Sequence, residues 1–276
     1  MCQRNTDDPL LRIFLDQYGL HLLSVPRQNA AVGDLYVHDG KRATPSGGIQ
    51  HFVDAAFKRP PVASDETMAD VLGKISRGVD FKVGFGLLDG FLNALGAAGI
   101  VNKVRVGFEA RKTQALKFRF TEAVRDSMDV MQLGKNLINR KIVKNHALFD
   151  EDYNYYVVTA VARSSSISVI GETEAEKSVN GALEAMHLGN VDGGVSIKTS
   201  GEGEVTFSGN KKLAFGVQLY ELKYDANRKA LRLKLPPDAV RVMKAEEAIE
   251  GRKGIDLVKP AFIGGPEGNV FLDVKG

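Results

Sequence analysis

Residues 79–110, VDFKVGFGLLDGFLNALGAAGIVNKVRVGFEA, place a glycine-rich helical pattern between two segments in which apolar and polar residues alternate. The helical pattern is an amphipathic stripe formed by Leu87, Leu88, Phe91, Leu92 and Leu95. Gly90 and Gly96 interrupt this helix, and each interior glycine costs roughly 1 kcal/mol relative to alanine. The sequence therefore predicts a helix that is weak by itself and depends on packing against its neighbours.

The two flanking segments predict strands, because every second side chain of a strand points to the same face of the sheet. The first predicted strand is Val79–Phe85 and the second is Val104–Ala110. Their apolar faces consist of Val79, Phe81, Val83 and Phe85 in the first strand and of Val104, Val106, Phe108 and Ala110 in the second. The stretch is thus predicted to be a strand–helix–strand unit.

The same organisation recurs further along the chain. Residues Tyr155–Ile170 predict a strand, Thr173–Leu188 predict a helix, and Val195–Phe207 predict another strand. Thr173 and Glu176 have the spacing of a capping box at the start of that helix. The two units are not similar in sequence, so the recurrence is one of organisation and not a true repeat.

The remaining patterns complete an α+β fold with a twisted, mainly antiparallel central sheet and surrounding helices. Strands are predicted at Gly33–His38, Leu116–Phe120, Leu213–Leu219 and Leu231–Leu235. Helices are predicted at Pro9–Tyr18, at Thr121–Ile142 with a break at Gly134, and at Asp238–Glu250. Residues Thr44–Ser64, rich in Pro, Gly and Ser, predict a loop.

Composition limits the class of protein. The chain has 276 residues, of which 43% are apolar and 26% charged, as is usual for a globular protein with a core. The net charge of +3 is too small to indicate a nucleic-acid partner. A single cysteine, Cys2, excludes an internal disulfide and indicates a reducing compartment. No apolar run approaches the ~18 residues of a membrane-spanning helix, so we expect a protein made soluble in the cytoplasm.

Signatures of catalysis and of metal binding are not found in the sequence. A dinucleotide-binding GxGxxG starting at Gly84 fails because Asp89 occupies the position of its third glycine. The five histidines have no metal-ligand spacing, and no GxSxG motif occurs. We therefore predict no catalytic residues, no metal and no cofactor.

Alternating segments without a spanning helix also suit a protein that enters a bilayer as β-strands. Such strands need about 9 to 11 residues each, which is more than Val79–Phe85 or Val104–Ala110 supplies alone. If the glycine-rich helix unwound into their continuation, the hairpin would be long enough. The same reasoning applies to the second unit if its helix were consumed.

The chain resembles the bacterial gasdermins in four segments. These are MCQRNTDDPLLRIFLDQYGLHLLSVP (1–26), AAVGDLYVHDGKR (30–42), ADVLGKISRGVDFKVGFGLLDGFLNALGAAG (69–99) and LKFRFTEAVRDSMD (116–129). The resemblance implies a cytoplasmic pore-forming protein, monomeric while inactive, that a C-terminal peptide inhibits. It implies release by a caspase-like or trypsin-like protease, homo-oligomerisation on membrane lipids of the inner membrane, and cell death in defence against phage. It also implies self-palmitoylation of Cys2.

Under this resemblance the chain divides into a pore-forming domain, residues 1–250, and a linker with an inhibitory tail, residues 251–276. The expected cleavage region is Gly251, Arg252, Lys253 and Gly254. The apolar residues of the expected inhibitory tail are Ile255, Leu257, Val258, Phe262, Ile263, Phe271 and Leu272. The expected membrane hairpins carry Val79, Phe81, Val83, Phe85, Val104, Val106, Phe108, Val169, Val195, Ile197, Val205 and Phe207.

Each of these assignments has a plainer alternative. Cys2 can be an exposed thiol, the alternating strands can be ordinary half-buried strands, and the basic residues Lys103, Arg105, Lys117 and Arg119 can be a solvated face or a contact with anionic head groups. A soluble lipid- or ligand-binding α+β module with a C-terminal lid is the alternative function, and an enzyme of unrecognised type is a further one. Leakage of dye from liposomes, before and after removal of the tail, distinguishes them.

Overall fold

A computed structural model describes residues 9–39, 43–76, 81–97, 99–110, 113–143, 148–172, 195–200 and 203–234 of the chain. Cys2, Val79, the predicted helices Thr173–Leu188 and Asp238–Glu250, and all of residues 235–276 lie outside these described residues. The predicted cleavage region and inhibitory tail therefore stay predictions.

The described strands form one eleven-stranded sheet whose paired strands are all antiparallel. Its two long strands, β8 (Asn154–Glu172) and β10 (Glu204–Asp225), pair with each other along most of their length. The shorter strands are β1 (His21–Arg27), β2 (Asp34–His38), β3 (Ala43–Gly48), β4 (Val62–Thr67), β5 (Val71–Ser76), β6 (Ala115–Thr121), β7 (Val124–Met128), β9 (Ser196–Ser200) and β11 (Ala230–Leu233).

The long strands carry different partners at their two ends. The second half of β8 pairs with β6 and β7, and its first residues pair with β2. Strand β10 pairs with β9 at its start and with β11 at its end, and β1 lies between them. The apolar run of β8 from Tyr155 to Ala162 is buried throughout, because protein covers both faces of the sheet there.

Four α-helices accompany the sheet: α1 (Pro9–Tyr18), α2 (Lys82–Leu95), α3 (Ile100–Ala110) and α4 (Val130–Leu137). Gly96 ends α2 in the left-handed conformation, with φ +89°, as a glycine at that position can do without strain. Asp129 begins α4 by accepting hydrogen bonds from the backbone N–H groups of Met131 and Gln132.

Two apolar clusters make up the core. The first, which we call the hairpin core, joins α1, α2 and α3 to β5, β6, the second half of β8 and the first half of β10. The second joins α4, β2 and the other halves of β8 and β10. Each long strand thus contributes to both clusters, so the sheet connects two regions with different coverings.

The α+β class with a mainly antiparallel sheet is confirmed, as are several individual elements. The predicted helix Pro9–Tyr18 is α1, and the predicted strand Tyr155–Ile170 lies within β8. Strands at β2, β6 and β11, and the run Leu213–Leu219 within β10, also agree. Segment Val195–Phe207 was predicted as one strand and instead folds as two, β9 and the start of β10, with Gly203 at φ +76° between them.

The strands predicted at Val79–Phe85 and Val104–Ala110 are wrong. Val83 and Phe85 belong to α2, and Val104, Val106 and Phe108 belong to α3. The error has a physical cause, because residues four apart share a face under a period of 2 and also nearly share one under a period of 3.6. Phe81 and Phe85, like Val104 and Phe108, satisfy both patterns. Packing on the sheet decides for the helix.

Two further predictions are corrected. Thr121–Ile142 does not form one helix, since Val124–Met128 is strand β7 and α4 starts only at Val130. Pairing of β7 with β4 and β8 overrides its local preference. The predicted loop Thr44–Ser64 contains strand β3 and the start of β4.

Candidate functional site

One end of the sheet has an apolar face and a polar face, and the residues predicted to enter a membrane gather there. On the apolar face the register places Val169 of β8 between Phe118 of β6 and Val205 of β10. Two residues earlier, Ile167 lies between Phe120 and Phe207. All six side chains are fully buried. The alternation in three neighbouring strands thus builds one continuous apolar surface.

Helices α1, α2 and α3 cover this apolar surface. Phe120 is central to it: its ring stacks on Phe215 with centroids 3.8 Å apart and planes within 6°. Phe14 of α1 and Phe91 of α2 meet the same ring at 6.2 and 5.7 Å between centroids. Such aromatic pairs add to the burial of apolar area. Burial of these rings away from water therefore holds α1 and α2 on the sheet.

Close approach of the helices depends on glycines at the contacts. A Cβ atom on Gly84 of α2 would lie 2.3 Å from the ring of Phe118, and one on Gly171 of β8 would lie 2.6 Å from the ring of Phe108 in α3. No real side chain tolerates such distances. Gly84 and Gly171 therefore serve close helix–sheet packing, a role that the sequence pattern did not reveal.

Helices α2 and α3 are inserted between two adjacent paired strands. Strand β5 pairs with β6 along its whole length, from Val71 opposite Phe120 to Ser76 opposite Ala115, and residues 77–114 connect them. The structure therefore has a strand–helix–helix–strand unit with β5 and β6 as its strands, in place of the predicted unit with strands at Val79–Phe85 and Val104–Ala110. Val71 and Ile75 are buried and alternate with Leu72 and Lys74, which is the signal that sequence reasoning missed.

The opposite face carries ion pairs that cross between strands. Glu172 of β8 accepts from Lys74 of β5 at 2.6 Å and from Lys117 of β6 at 2.5 Å. Arg119 of β6 reaches across β8 to Glu204 of β10, 2.5 Å away. Small residues of β8 on this face, such as Ser168, leave room for the arginine to cross. We call these five residues, Lys74, Lys117, Arg119, Glu172 and Glu204, the cross-strand ion network.

The network lowers the pKa of both carboxylates. Hydrogen bonds from Lys117 and Lys74 hold the pKa of Glu172 below its usual value. Burial acts to raise the pKa of Glu204, but hydrogen bonds from Ser168 and Arg119 outweigh burial and leave that pKa lowered as well. Both groups therefore favour the folded state when ionised.

We expect the network to make stability depend on acidity. A carboxylate whose folded pKa is lowered contributes stability above its unfolded pKa, near 4.5, and loses that contribution as the pH falls through the folded pKa. The melting temperature of an E172Q/E204Q variant should thus lie below that of the parent at pH 7, and the two should converge as the pH falls below about 4.5. A difference in melting temperature that stays constant down to pH 3 would show that ionisation of Glu172 and Glu204 is not its cause.

The predicted residues have different positions in the fold. Val169, Val205 and Phe207 are buried in the apolar surface, and Ile197 and Val195 lie beside it. Phe81, at the start of α2, packs partly buried against the hairpin core, and Phe85, Val104 and Phe108 are buried in the covering helices. Val106 differs from all of these, because it is 62% exposed on α3.

Neither metal chemistry nor a spanning helix is found in the described ranges. They hold no group of three or more His, Cys, Asp or Glu side chains arranged for a metal ion. No helix within them is both long enough and apolar enough to cross a membrane. The four basic residues predicted on strand faces lie on two different elements, Lys103 and Arg105 on α3 and Lys117 and Arg119 on β6. Arg105 lies over the ring of Phe85, 5.2 Å from its centroid.

Comparison with known proteins adds to this geometry. The model of the Bacterial Gasdermin Family matches residues 23–230. The chain is 25% identical to the gasdermin bGSDM of Lysobacter enzymogenes, over 97% of this chain and 95% of that one. It is also 25% identical to the gasdermin bGSDM of Vitiosangium sp. (strain GDMCC 1.1324), over 78% of this chain and 81% of that protein.

A solved structure shares the fold. The structure of a bacterial gasdermin from Bradyrhizobium tropiciagri superposes with a TM-score of 0.58 at 20% identity, covering 83% of this chain and 92% of the other. The family match spans both long strands, α4, and the helices α2 and α3 that cover the apolar surface, whereas α1 lies before the matched residues. The chain belongs to the bacterial gasdermin family, and it is a pore-forming protein and not an enzyme.

Proposed function

We propose that this gasdermin is held inactive in the cytoplasm by residues 251–276 and that proteolysis within Gly251–Gly254 releases it. The freed body, residues 1–250, oligomerises and inserts two β-hairpins into the inner membrane, which kills the cell in defence against phage. Arg252 and Lys253 suit a trypsin-like activating protease, and a caspase-like protease is the alternative that the family resemblance implies. A palmitoyl chain on Cys2 assists membrane attachment, since each buried methylene is worth about 0.8 kcal/mol.

The observation that carries the proposal is the exposure of Val106. In α3 this valine faces solvent, 62% exposed, while Val104 and Phe108 are buried. In a strand the three residues would share one face, and that face would be entirely apolar. The sequence of α3 therefore fits a strand in lipid better than it fits the helix that it forms in water. A pattern compatible with both periods is what a helix-to-strand transition needs.

Strand length supports the same transition. Strands β5 and β6 have six and seven residues, whereas a membrane strand needs about 9 to 11. Residues 77–114, which include α2 and α3, would supply the missing length. Strands β8 and β10, with 19 and 22 residues, are long enough already.

On insertion only the apolar face of the site would change its environment, while the polar face would stay in contact with water. The apolar surface around Val169, now covered by helices, would face lipid, and the face with Arg119 and Glu204 would face the water-filled pore. Every backbone group would stay paired with a neighbouring strand, which is the condition for crossing a bilayer. The helices must leave the surface first, so displacement of α2 and α3 is the step that tail removal would permit.

Leakage of an encapsulated dye from anionic liposomes tests the proposal. We expect the intact chain to leave the liposomes closed and the chain cleaved within residues 251–254 to release the dye. An R252Q/K253Q variant treated with trypsin-like protease serves as the cleavage control, and intact mass together with C2A reports on acylation. A cleaved chain that stays monomeric in solution beside liposomes would favour the lipid- or ligand-binding module with a lid.

Val106→Lys separates pore formation from folding. Because Val106 is exposed in α3, the variant should keep the melting temperature of the parent, yet a lysine on a lipid-facing strand costs about 2–4 kcal/mol at the bilayer centre. We expect leakage after cleavage to fall strongly. Glu109→Gln is the matched control, since it changes the charge by the same amount at an exposed position of α3 that would face the pore. Equal leakage by both variants would refute the proposed strand.

A further inference from the structure

A cavity of about 720 Å³ lies between α4 and β11, at the end of the fold remote from the hairpin core. Its apolar part is formed by Met131 and Leu137 of α4 and by Leu231 and Leu233 of β11. Gly134 allows this arrangement, since a Cβ atom there would already touch Leu233 at 3.3 Å. The volume is within the range of about 300–1,000 Å³ that is usual for small-molecule sites.

The entrance of the cavity is basic. Its lining includes Lys135, Arg140, Lys141, Arg228 and Arg232 and contains no carboxylate. Two carboxylates that are not part of the lining form ion pairs with three of these cations. Asp54 pairs with Arg140, and Asp225 pairs with Arg228 and Arg232. Five cations and two anions leave a local net charge of +3 at this cavity.

Two of the cations have no carboxylate of their own. Within the described part of the chain, Lys135 and Lys141 form no ion pair, and both side chains are exposed at the entrance. Beside them Ile138 is 60% exposed, which is unusual for an isoleucine and extends the apolar lining to the surface. Unpaired cations next to an open apolar cavity match a molecule with an anionic head and an apolar chain.

We propose that this cavity binds a free single-chain anionic amphiphile, with a phosphate or carboxylate head at Lys135 and Lys141 and its hydrocarbon chain against Ile138 and Leu233. Inorganic phosphate would leave the apolar lining unused, and a neutral or cationic amphiphile would leave the lysines without a partner. A bilayer lipid would have to leave the membrane to reach the lining. The single-chain amphiphile uses both parts of the site.

Titration calorimetry of the full-length chain with monomeric dodecyl phosphate tests this proposal. We expect one molecule to bind per chain and to raise the melting temperature by mass action. Inorganic phosphate, dodecyltrimethylammonium and phosphatidylglycerol vesicles are the comparison ligands, and each should bind far more weakly. Binding of inorganic phosphate as tightly as dodecyl phosphate, or binding seen only with vesicles, would overturn the proposal.

Variants locate the binding. K135E/K141E should weaken dodecyl phosphate binding about tenfold or more, because each cation near an anionic head is worth about 1 kcal/mol. K198E/K211E makes the same charge change at exposed positions outside the cavity and should bind as the parent does, so equal affinity of this variant and K135E/K141E would refute the site. I138S, also at an exposed position, should weaken the binding of dodecyl phosphate by removing an apolar contact with its hydrocarbon chain. The variant should still fold.

Discussion

Replacing Phe120 with alanine is expected to lower the free energy of unfolding by about 3–5 kcal/mol. Phe120 is fully buried where α1, α2, β6 and β10 meet, through its contacts with Phe14, Phe91 and Phe215. The alanine variant would leave a cavity bounded by three aromatic rings, which are too stiff to close it.

Urea denaturation measures the effect, with the midpoint falling and the slope unchanged if only stability is altered. Phe120→Leu is the matched control, because leucine keeps much of the volume and should cost clearly less than alanine. A loss under about 1 kcal/mol for Phe120→Ala would show that the surrounding helices collapse onto the site. In that case the helices would be attached to the sheet far more loosely than the ring contacts indicate.

Alanine at Gly84 and alanine at Gly86 should change stability in opposite directions, although both lie in α2. At Gly84 the new Cβ would lie 2.3 Å from Phe118, whose ring is fully buried, so overpacking should cost about 1–3 kcal/mol. At Gly86 no atom lies within 4 Å of the new Cβ, and alanine should gain up to about 1 kcal/mol from helix propensity.

Each variant is the control for the other, since the helix, the residue types and the change are the same. Thermal and urea unfolding of the two proteins should place Gly84→Ala below the parent and Gly86→Ala above it. Two variants that shift in the same direction would mean that α2 does not approach β6 as closely as described. The comparison therefore measures helix–sheet contact separately from helix propensity.

The spacing of apolar residues predicted the secondary structure correctly where it fitted either the helix period or the strand period but not both. Strand β8 and helix α1 are examples, because the long apolar run of β8 fits no amphipathic helix and the stripe of α1 fits no strand. The helix predicted from Leu87, Leu88, Phe91, Leu92 and Leu95 is confirmed as part of α2. The prediction failed on either side of it, at Phe81–Phe85 and at Val104–Phe108, where both periods fit and the choice depends on contacts with the sheet. It failed again at β7, where pairing with β4 and β8 is decided by strands distant in sequence.

The candidate site was only partly predictable for a similar reason. Val169, Val205 and Phe207 could be assigned to an apolar face from alternation alone. That Arg119 meets Glu204 across β8 could not, because it depends on the register of three strands and on a small side chain at Ser168. The role of Gly84 was hidden too, since a glycine in a helix looks unfavourable until its neighbour is known.

The position of β8 between β6 and β10 has a consequence for the order of events at a membrane. In the folded chain the strands β5, β6, β8 and β10 already lie side by side in their sheet, with the register of each neighbour fixed. A transmembrane sheet built from these strands would extend the hydrogen-bond ladders that already exist, and no strand would need a new partner. The proposed hairpins, β5–β6 and β8–β10, would thus be mechanically coupled through the pairing of β6 with β8, and neither could slide without moving the other. Insertion of such a sheet would proceed as one concerted advance of four strands.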